Sequence, residues 1–295
     1  MSGFVPTYRR RPSPLHAARA GVATAFCAAL CLVAVVHDSP LVLGAALGGT
    51  VAAAAAAGVA SELGRAARLV VPLALLLVAV NALTSREGET LLIRGGELLG
   101  WRLDVTLEAV AYGAVAALRV TVLMMALALF TAVVDPDDTL RLFRRVSYRS
   151  ALTAALATRL VPVLARDAAR MGEAARCRPV PPARAGAARA ALRSALDRSV
   201  DVAAALELRG YAGARRPAVD RRPWSRHDVR VALAAGVLAL AAVLAAAAGV
   251  SEFDAYPELA LSVGAGEIAL AAALVALPLV PFTGASARLG VARAH

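Results

Sequence analysis

The chain has 295 residues, of which 59% are hydrophobic, and its formal net charge is +11. It is too apolar for a soluble domain of ordinary composition, which excludes the usual cytosolic enzymes. The sequence contains no lysine, which excludes a P-loop ATPase site and Schiff-base catalysis, because both need a lysine amine.

Four apolar segments in the N-terminal half are predicted to cross the membrane, since a bilayer core of about 30 Å takes about 20 apolar residues in a helix. They are residues 20–36, 41–60, 69–83 and 107–134. Polar stretches separate them: a turn at 37–40, a link at 61–68 and a longer loop at 84–105. Pro136 and the neighbouring acids end the fourth span, because neither proline nor clustered carboxylates continue a lipid-embedded helix.

The rest of the chain consists of an arginine-rich block and two more apolar segments, residues 229–250 and 259–282. We therefore expect three regions: an N-terminal membrane region of four spans (1–134), an arginine-rich region (135–228), and a C-terminal membrane region of one or two spans (229–295). Cytoplasmic loops carry the excess of basic residues. This places the N-terminus and the arginine-rich region in the cytoplasm and the acidic loop 251–258 outside.

The arginine-rich region is predicted to form two amphipathic helices. The first spans about residues 153–177, with a kink or break expected at Pro162. The second spans about residues 183–208, and the prolines between them separate the two. Arg176 and Arg209 lie at their C-terminal ends, where the helix dipole favours a cation. Two other interpretations of these arginines stay open: good terminal residues, or contacts with anionic lipid.

The predicted fold class is therefore all-α: a polytopic membrane protein with about six transmembrane helices and two long cytoplasmic amphipathic helices. Arg119 lies near the middle of the fourth span, where a charge is costly, and Glu267 is the one acid of the last span. Counting along the two helices predicts an Arg119–Glu267 pair or a polar pocket shared by them. The alternative is that Arg119 binds backbone carbonyls and Glu267 is neutral.

Other chemistries find little support in the sequence. The arginine-rich region has the positive charge for nucleic acid but few aromatic residues for stacking on bases, so we expect no nucleic-acid partner. The four histidines and three cysteines are scattered, which predicts no metal site and no cofactor. No cluster of titratable groups indicates an active site, and we expect a protein without catalytic residues.

Several short segments resemble the transmembrane coupling (T) component of energy-coupling factor (ECF) transporters, the family that includes the CbiQ-type permeases. The resemblance covers roughly residues 81–211. The segments are Asn81-Ala82-Leu83 with Gly88, Leu107-Glu108-Ala109, Tyr112-Gly113, Ala117-Leu118-Arg119, Arg159-Leu160-Val161-Pro162, Glu173-Ala174-Ala175-Arg176-Cys177, and Ala205-Leu206-Glu207-Leu208-Arg209-Gly210-Tyr211. The chain departs from the family pattern at Ala82 (usually Pro), Cys177 (usually Gly) and Leu208 (usually Ala), and by a second C-terminal span.

The resemblance implies a non-catalytic subunit of a bacterial ABC importer in the plasma membrane. Its two cytoplasmic helices would be coupling helices that dock on two ABC ATPases through the motifs Ala175-Arg176-Cys177 and Leu208-Arg209-Gly210. ATP-driven motion would pass to a separate, small membrane subunit that binds a vitamin or a transition-metal ion. The alternatives are a conventional permease that binds its own substrate, which would need polar or broken helices at mid-membrane, and a membrane enzyme.

Overall fold

The computed structural model describes residue 8 and residues 11–84, 91–98, 101–143, 148–177, 184–210, 223–250 and 264–283. Its architecture is that of an all-α polytopic membrane protein, as predicted. Four helices are long and apolar enough to cross a membrane, and two further apolar helices of 17 residues are shorter. Leucines such as Leu75 and Leu233 lie exposed on the outer faces of these helices, as expected for side chains that contact lipid rather than water.

Ten α-helices occur within the described residues. They are α1 (Pro14–Ala17), α2 (Ala20–Val36), α3 (Pro40–Ala56), α4 (Ala60–Thr84), α5 (Leu107–Val133), α6 (Pro136–Phe143), α7 (Tyr148–Arg176), α8 (Arg184–Leu208), α9 (Arg226–Ala247) and α10 (Ala265–Ala276). A 3-10 helix, Leu277–Phe282, continues α10. Their termini follow local sequence, because Ser39, Thr106 and Ser225 each accept a backbone hydrogen bond as the N-cap residue of α3, α5 and α9.

The third span begins earlier than its hydropathy predicts. Residues 61–68, expected to be a polar link, form the first turns of α4. Glu62 is buried there. Its carboxylate accepts a hydrogen bond from Ser61 and forms ion pairs with Arg65 and Arg11. Because these partners satisfy its carboxylate, the polar turns stay helical at the end of the bundle.

One pair of strands interrupts the helical architecture, within a segment (84–105) that was predicted to be a loop. Strand β1 (Leu91–Leu98) pairs antiparallel with β2 (Trp101–Thr106), and the strand pair leads directly into α5. The hydropathy pattern indicated only a polar segment between two apolar spans. It did not predict that two strands within the segment pair with each other.

The chain divides into two compact units, Met1–Pro136 with Pro223–His295, and Asp137–Arg222. In the first unit, α4 packs along α5, α2 packs against α5 and α9, and α3 packs against α10. Its core is rich in alanine, including Ala46, Ala53 and Ala126, and small residues let helices approach closely without a large side chain between them.

Two of the resemblance motifs meet in this packing. A Cβ atom on Gly113 of α5 would lie 3.0 Å from the Asn81 Cβ and 3.3 Å from the Val78 Cα of α4. Asn81 itself donates a hydrogen bond to the Leu77 carbonyl one turn earlier, at 2.9 Å. Glycine at 113 therefore sets the distance between the two helices.

Candidate functional site

The unit Asp137–Arg222 contains the two long helices α7 and α8, of 29 and 25 residues. Their observed bounds are close to the predicted 153–177 and 183–208. Pro162 does not break α7, although its ring nitrogen cannot donate to the carbonyl of Thr158. Such a helix is tolerated when it is exposed, because water can take up the freed carbonyl.

One carboxylate links α7 to α8. Asp167 of α7 accepts a hydrogen bond from the Arg198 guanidinium of α8 at 2.7 Å and lies 3.8 Å from the Arg170 guanidinium on its own helix. The Asp167 side chain is 17% exposed, so water screens this pair only in part. The contact fixes how the two helices lie against each other within their unit.

The contribution of this link is directly testable. Asp167→Asn removes the charge but keeps the shape, and charge-assisted hydrogen bonds contribute about 1.5–3 kcal/mol. For a partly exposed pair we expect a loss of about 1 kcal/mol, which is roughly a fivefold change in an opening equilibrium. Amide hydrogen exchange in α7 and α8 should speed up by that factor. Asp201→Asn, an exposed acid of α8, should leave the exchange rates unchanged.

The first predicted contact motif lies at the end of α7. Arg176 is the last residue of the helix, and Arg176 and Cys177 are both exposed, whereas Ala175 is half-buried. Within the described part of the chain, Arg176 forms no ion pair. Its guanidinium carries five N–H donors in a planar fork and is therefore available to a carboxylate from outside.

The second motif lies at the end of α8. The helix ends at Leu208, one residue before Arg209, and Gly210 has φ +71, the left-handed conformation that closes many helices. The Arg209 and Gly210 amides donate to the Ala205 and Glu207 carbonyls at 3.3 and 2.8 Å. Leu208 is 90% exposed, and Arg209 is exposed and makes no ion pair with a described residue.

An exposed apolar stripe on α8 was missed in the sequence analysis. Leu192, Leu196 and Val200 recur every four residues, which places them on one face of the helix. They are 61%, 57% and 67% exposed. The four-residue spacing of these aliphatic residues is a sequence signal for such a stripe.

In the first unit, both of the intramembrane charged residues predicted above contact the polar turn between α2 and α3. Arg119 of α5 forms an ion pair with Asp38 and donates to the His37 carbonyl at 3.3 Å. Glu267, in the first turn of α10, accepts a hydrogen bond from Ser39. The ion-pair partner of Arg119 is thus Asp38, not the predicted Glu267. A polar pocket shared by the two side chains stays a prediction.

Comparison with known protein families identifies a relationship that covers most of the chain. The family model described as CbiQ, cobalt transport protein, matches residues 11–219, which is more than two thirds of the chain. The match includes all of α7 and α8. No curated protein matches the chain. The described residues contain no group of three or more histidine, cysteine, aspartate or glutamate side chains placed to hold a metal ion.

Proposed function

The chain belongs to the CbiQ family of cobalt transport proteins, and we propose that it is the transmembrane coupling subunit of an ECF-type ABC importer. In this role it transmits the ATP-driven motion of two cytoplasmic ABC ATPases to a separate membrane subunit that binds the substrate. The substrate is a vitamin or a transition-metal ion. ATP hydrolysis belongs to the partner ATPases, since this chain has no lysine for a P-loop.

The observation that carries this proposal is the pair of exposed arginines at the ends of α7 and α8. Two long helices, linked by Asp167 and Arg198, each end in a guanidinium that has no acidic partner among the described residues. Two equivalent acidic grooves, one on each of two ATPase subunits, would complement two such ends. Arginine fits this task because its fork binds a carboxylate through two parallel hydrogen bonds.

The apolar stripe of α8 supports a second contact. Leu192, Leu196 and Val200 form a row of exposed aliphatic side chains beside the charged surface of the same helix. Exposed apolar patches mark protein or membrane contacts. We assign this stripe to the substrate-binding membrane subunit, so that α8 contacts the ATPase at its end and the substrate-binding subunit along its side.

The polar turn at residues 37–39 does not support the alternative function, a permease with its own substrate site. Its polar groups bind Arg119 and Glu267, so these contacts serve to join helices. Satisfying charged groups with each other is what a membrane bundle requires when it buries them.

Co-expression with the ABC ATPases and the substrate-binding subunits of the same genome tests the proposed function. The expected result is a purified complex with two ATPases per copy of this chain and ATP-dependent uptake into proteoliposomes, with cobalt as the first substrate. Uptake by this chain alone, without ATPases, would instead support a permease that binds its own substrate.

A single charge on the apolar stripe should separate the two contacts. Leu196→Asp places a carboxylate in an apolar interface, where an unpaired charge costs several kcal/mol. We expect capture of the substrate-binding subunit to fall by at least tenfold, the equivalent of about 1.4 kcal/mol, with capture of the ATPases unchanged. Ala190→Asp adds the same charge at another exposed position of α8, outside the stripe, and should alter neither. Equal losses in both variants would refute the assignment of the stripe.

A further inference from the structure

The N-terminal segment ahead of the first long helix contacts the bundle through its own side chains. Arg11 lies 3.1 Å from the Glu62 carboxylate of α4, which is 3% exposed. The same guanidinium approaches the turn between α3 and α4, where Gly58 has φ +76. Arg11 thereby ties the N-terminal segment to the start of α4.

The short helix α1 continues this attachment. Ser13 caps it by accepting a hydrogen bond from the His16 amide, and Leu15 is only 2% exposed and belongs to the apolar core. The His16 ring lies near the backbone of Ala132, in the last turn of α5. Burial lowers the pKa of His16, so the ring is neutral and can pack there without a charge.

The third attachment is to the start of α9. The Arg19 amide donates to Asp228 at 2.7 Å, and its guanidinium lies 3.7 Å from the same carboxylate. Asp228 is also half of a capping box with Ser225, with hydrogen bonds of 2.9 and 3.0 Å. The Arg19 guanidinium lies over the Trp224 ring, 5.7 Å from its centroid, a cation–π contact.

These contacts sit at the two places where the chain leaves and re-enters the membrane bundle. The unit Asp137–Arg222 begins just after α5, which ends near Ala132, and it ends just before Trp224 and Asp228. Residues 11–19, here called the N-terminal clasp, therefore join both junctions to each other and to α4. The hydropathy pattern contained no sign of this, because the clasp is a polar segment outside the predicted spans.

We propose that the N-terminal clasp is a positioning element for coupling: it holds the two junctions together, so that motion of α7 and α8 moves the bundle instead of bending the junctions. This rests on the proposed function. If the junctions were free, work done on the unit Asp137–Arg222 would be lost as local opening of α9 or α5. The clasp lies outside the unit Asp137–Arg222, which contains the proposed ATPase contacts and the apolar stripe. Loss of the clasp should therefore reduce the coupling of ATP hydrolysis to uptake without disrupting assembly of the complex.

The test compares ATP hydrolysis with uptake in the complete complex in proteoliposomes. In Arg19→Ala/Trp224→Ala the cation–π contact and the side-chain ion pair are lost, while the capping box remains. Trp224 is 61% exposed, so its truncation leaves the core intact. We expect uptake per ATP hydrolysed to fall about tenfold, the equivalent of about 1.4 kcal/mol. ATP hydrolysis and the amount of assembled complex should stay near those of the unmodified complex.

Two variants serve as controls. Arg19→Lys keeps a cation over Trp224 and beside Asp228 and should recover most of the coupling. Arg230→Ala removes an exposed arginine of α9 that contacts the Thr283 carbonyl, outside the clasp, and should couple normally. A parallel loss of hydrolysis, uptake and assembly, or an unchanged ratio, overturns the proposal. Absence of ATP-driven uptake with the unmodified chain would contradict the proposed function itself, and the clasp proposal with it.

Discussion

Replacing Arg176 and Arg209 together with glutamate is expected to abolish ATP-driven uptake while the protein remains inserted in the membrane. If the two arginines bind acidic grooves of the ATPases, as proposed, each substitution replaces an attractive charge with a repulsive one. Losing one member of a close charge pair at an interface costs about 2–5 kcal/mol. Two such changes should lower uptake at least about 100-fold, and the ATPases should no longer co-purify with the membrane subunit.

The matched control for this experiment is Arg159→Glu/Arg193→Glu, which makes the same change in net charge at exposed positions within α7 and α8. It should retain the ATPases. Glutamate at a helix C-terminus also loses the favourable dipole interaction, about 0.3–1 kcal/mol, so helix content by circular dichroism must be compared as well. Full uptake in the Arg176/Arg209 variant, or an equal loss in the control, would contradict the assignment of the two arginines.

Gly49→Ala is expected to have the largest effect on the stability of the bundle. A Cβ atom at this position would lie 2.2 Å from the Leu274 carbonyl oxygen and 3.1 Å from the Pro278 ring. Because the first of these is a backbone atom, α3 and α10 must move apart to admit a methyl group. Overpacking of this kind costs about 1–3 kcal/mol, and the thermal unfolding midpoint in detergent should fall by several degrees.

Gly44 provides the comparison within the same helix. A Cβ atom there meets no atom within 4 Å, so Gly44→Ala should be neutral or stabilise by up to about 1 kcal/mol, the usual gain of alanine over glycine in a helix. Equal midpoints for the two variants would mean that α3 and α10 do not pack at Gly49. Neither glycine lies in the unit Asp137–Arg222. The loss of stability expected for Gly49→Ala is therefore separate from any effect on coupling.

Much of the fold follows from local sequence. The bounds of α2 and α5 agree with the apolar runs to within a residue, because a chain in lipid must satisfy its backbone hydrogen bonds within each helix. The ends of α7 and α8 follow from the prolines after Arg176 and from Gly210, which are local signals. The family resemblance, confirmed by the match over residues 11–219, likewise depended on short motifs and their order.

The tertiary structure decided which groups meet. Counting residues from helix ends paired Arg119 with Glu267, on the assumption that all helices begin at the same depth. The structure instead places the turn after the 17-residue helix α2 beside Arg119, about 18 Å along α5 from its first residue. Because α2 is shorter than α5, the turn after α2 lies beside the middle of α5. The relative lengths of the two helices, and not the hydropathy of either one, therefore determine which residue pairs with Arg119.

The contacts of the N-terminal clasp and of Gly49 likewise depend on segments that are distant in the sequence. Asp228 reads locally as the third residue of a capping box, yet its carboxylate also binds the amide of Arg19, 209 positions earlier. Gly49 reads as one of several small residues in α3, and only the approach of α10 distinguishes it from Gly44. The sequence by itself determined the apolar helices and the two exposed arginine ends, because these depend on neighbours in the chain. The contacts that join helix ends to one another depend on packing between distant segments, and only the folded structure shows them.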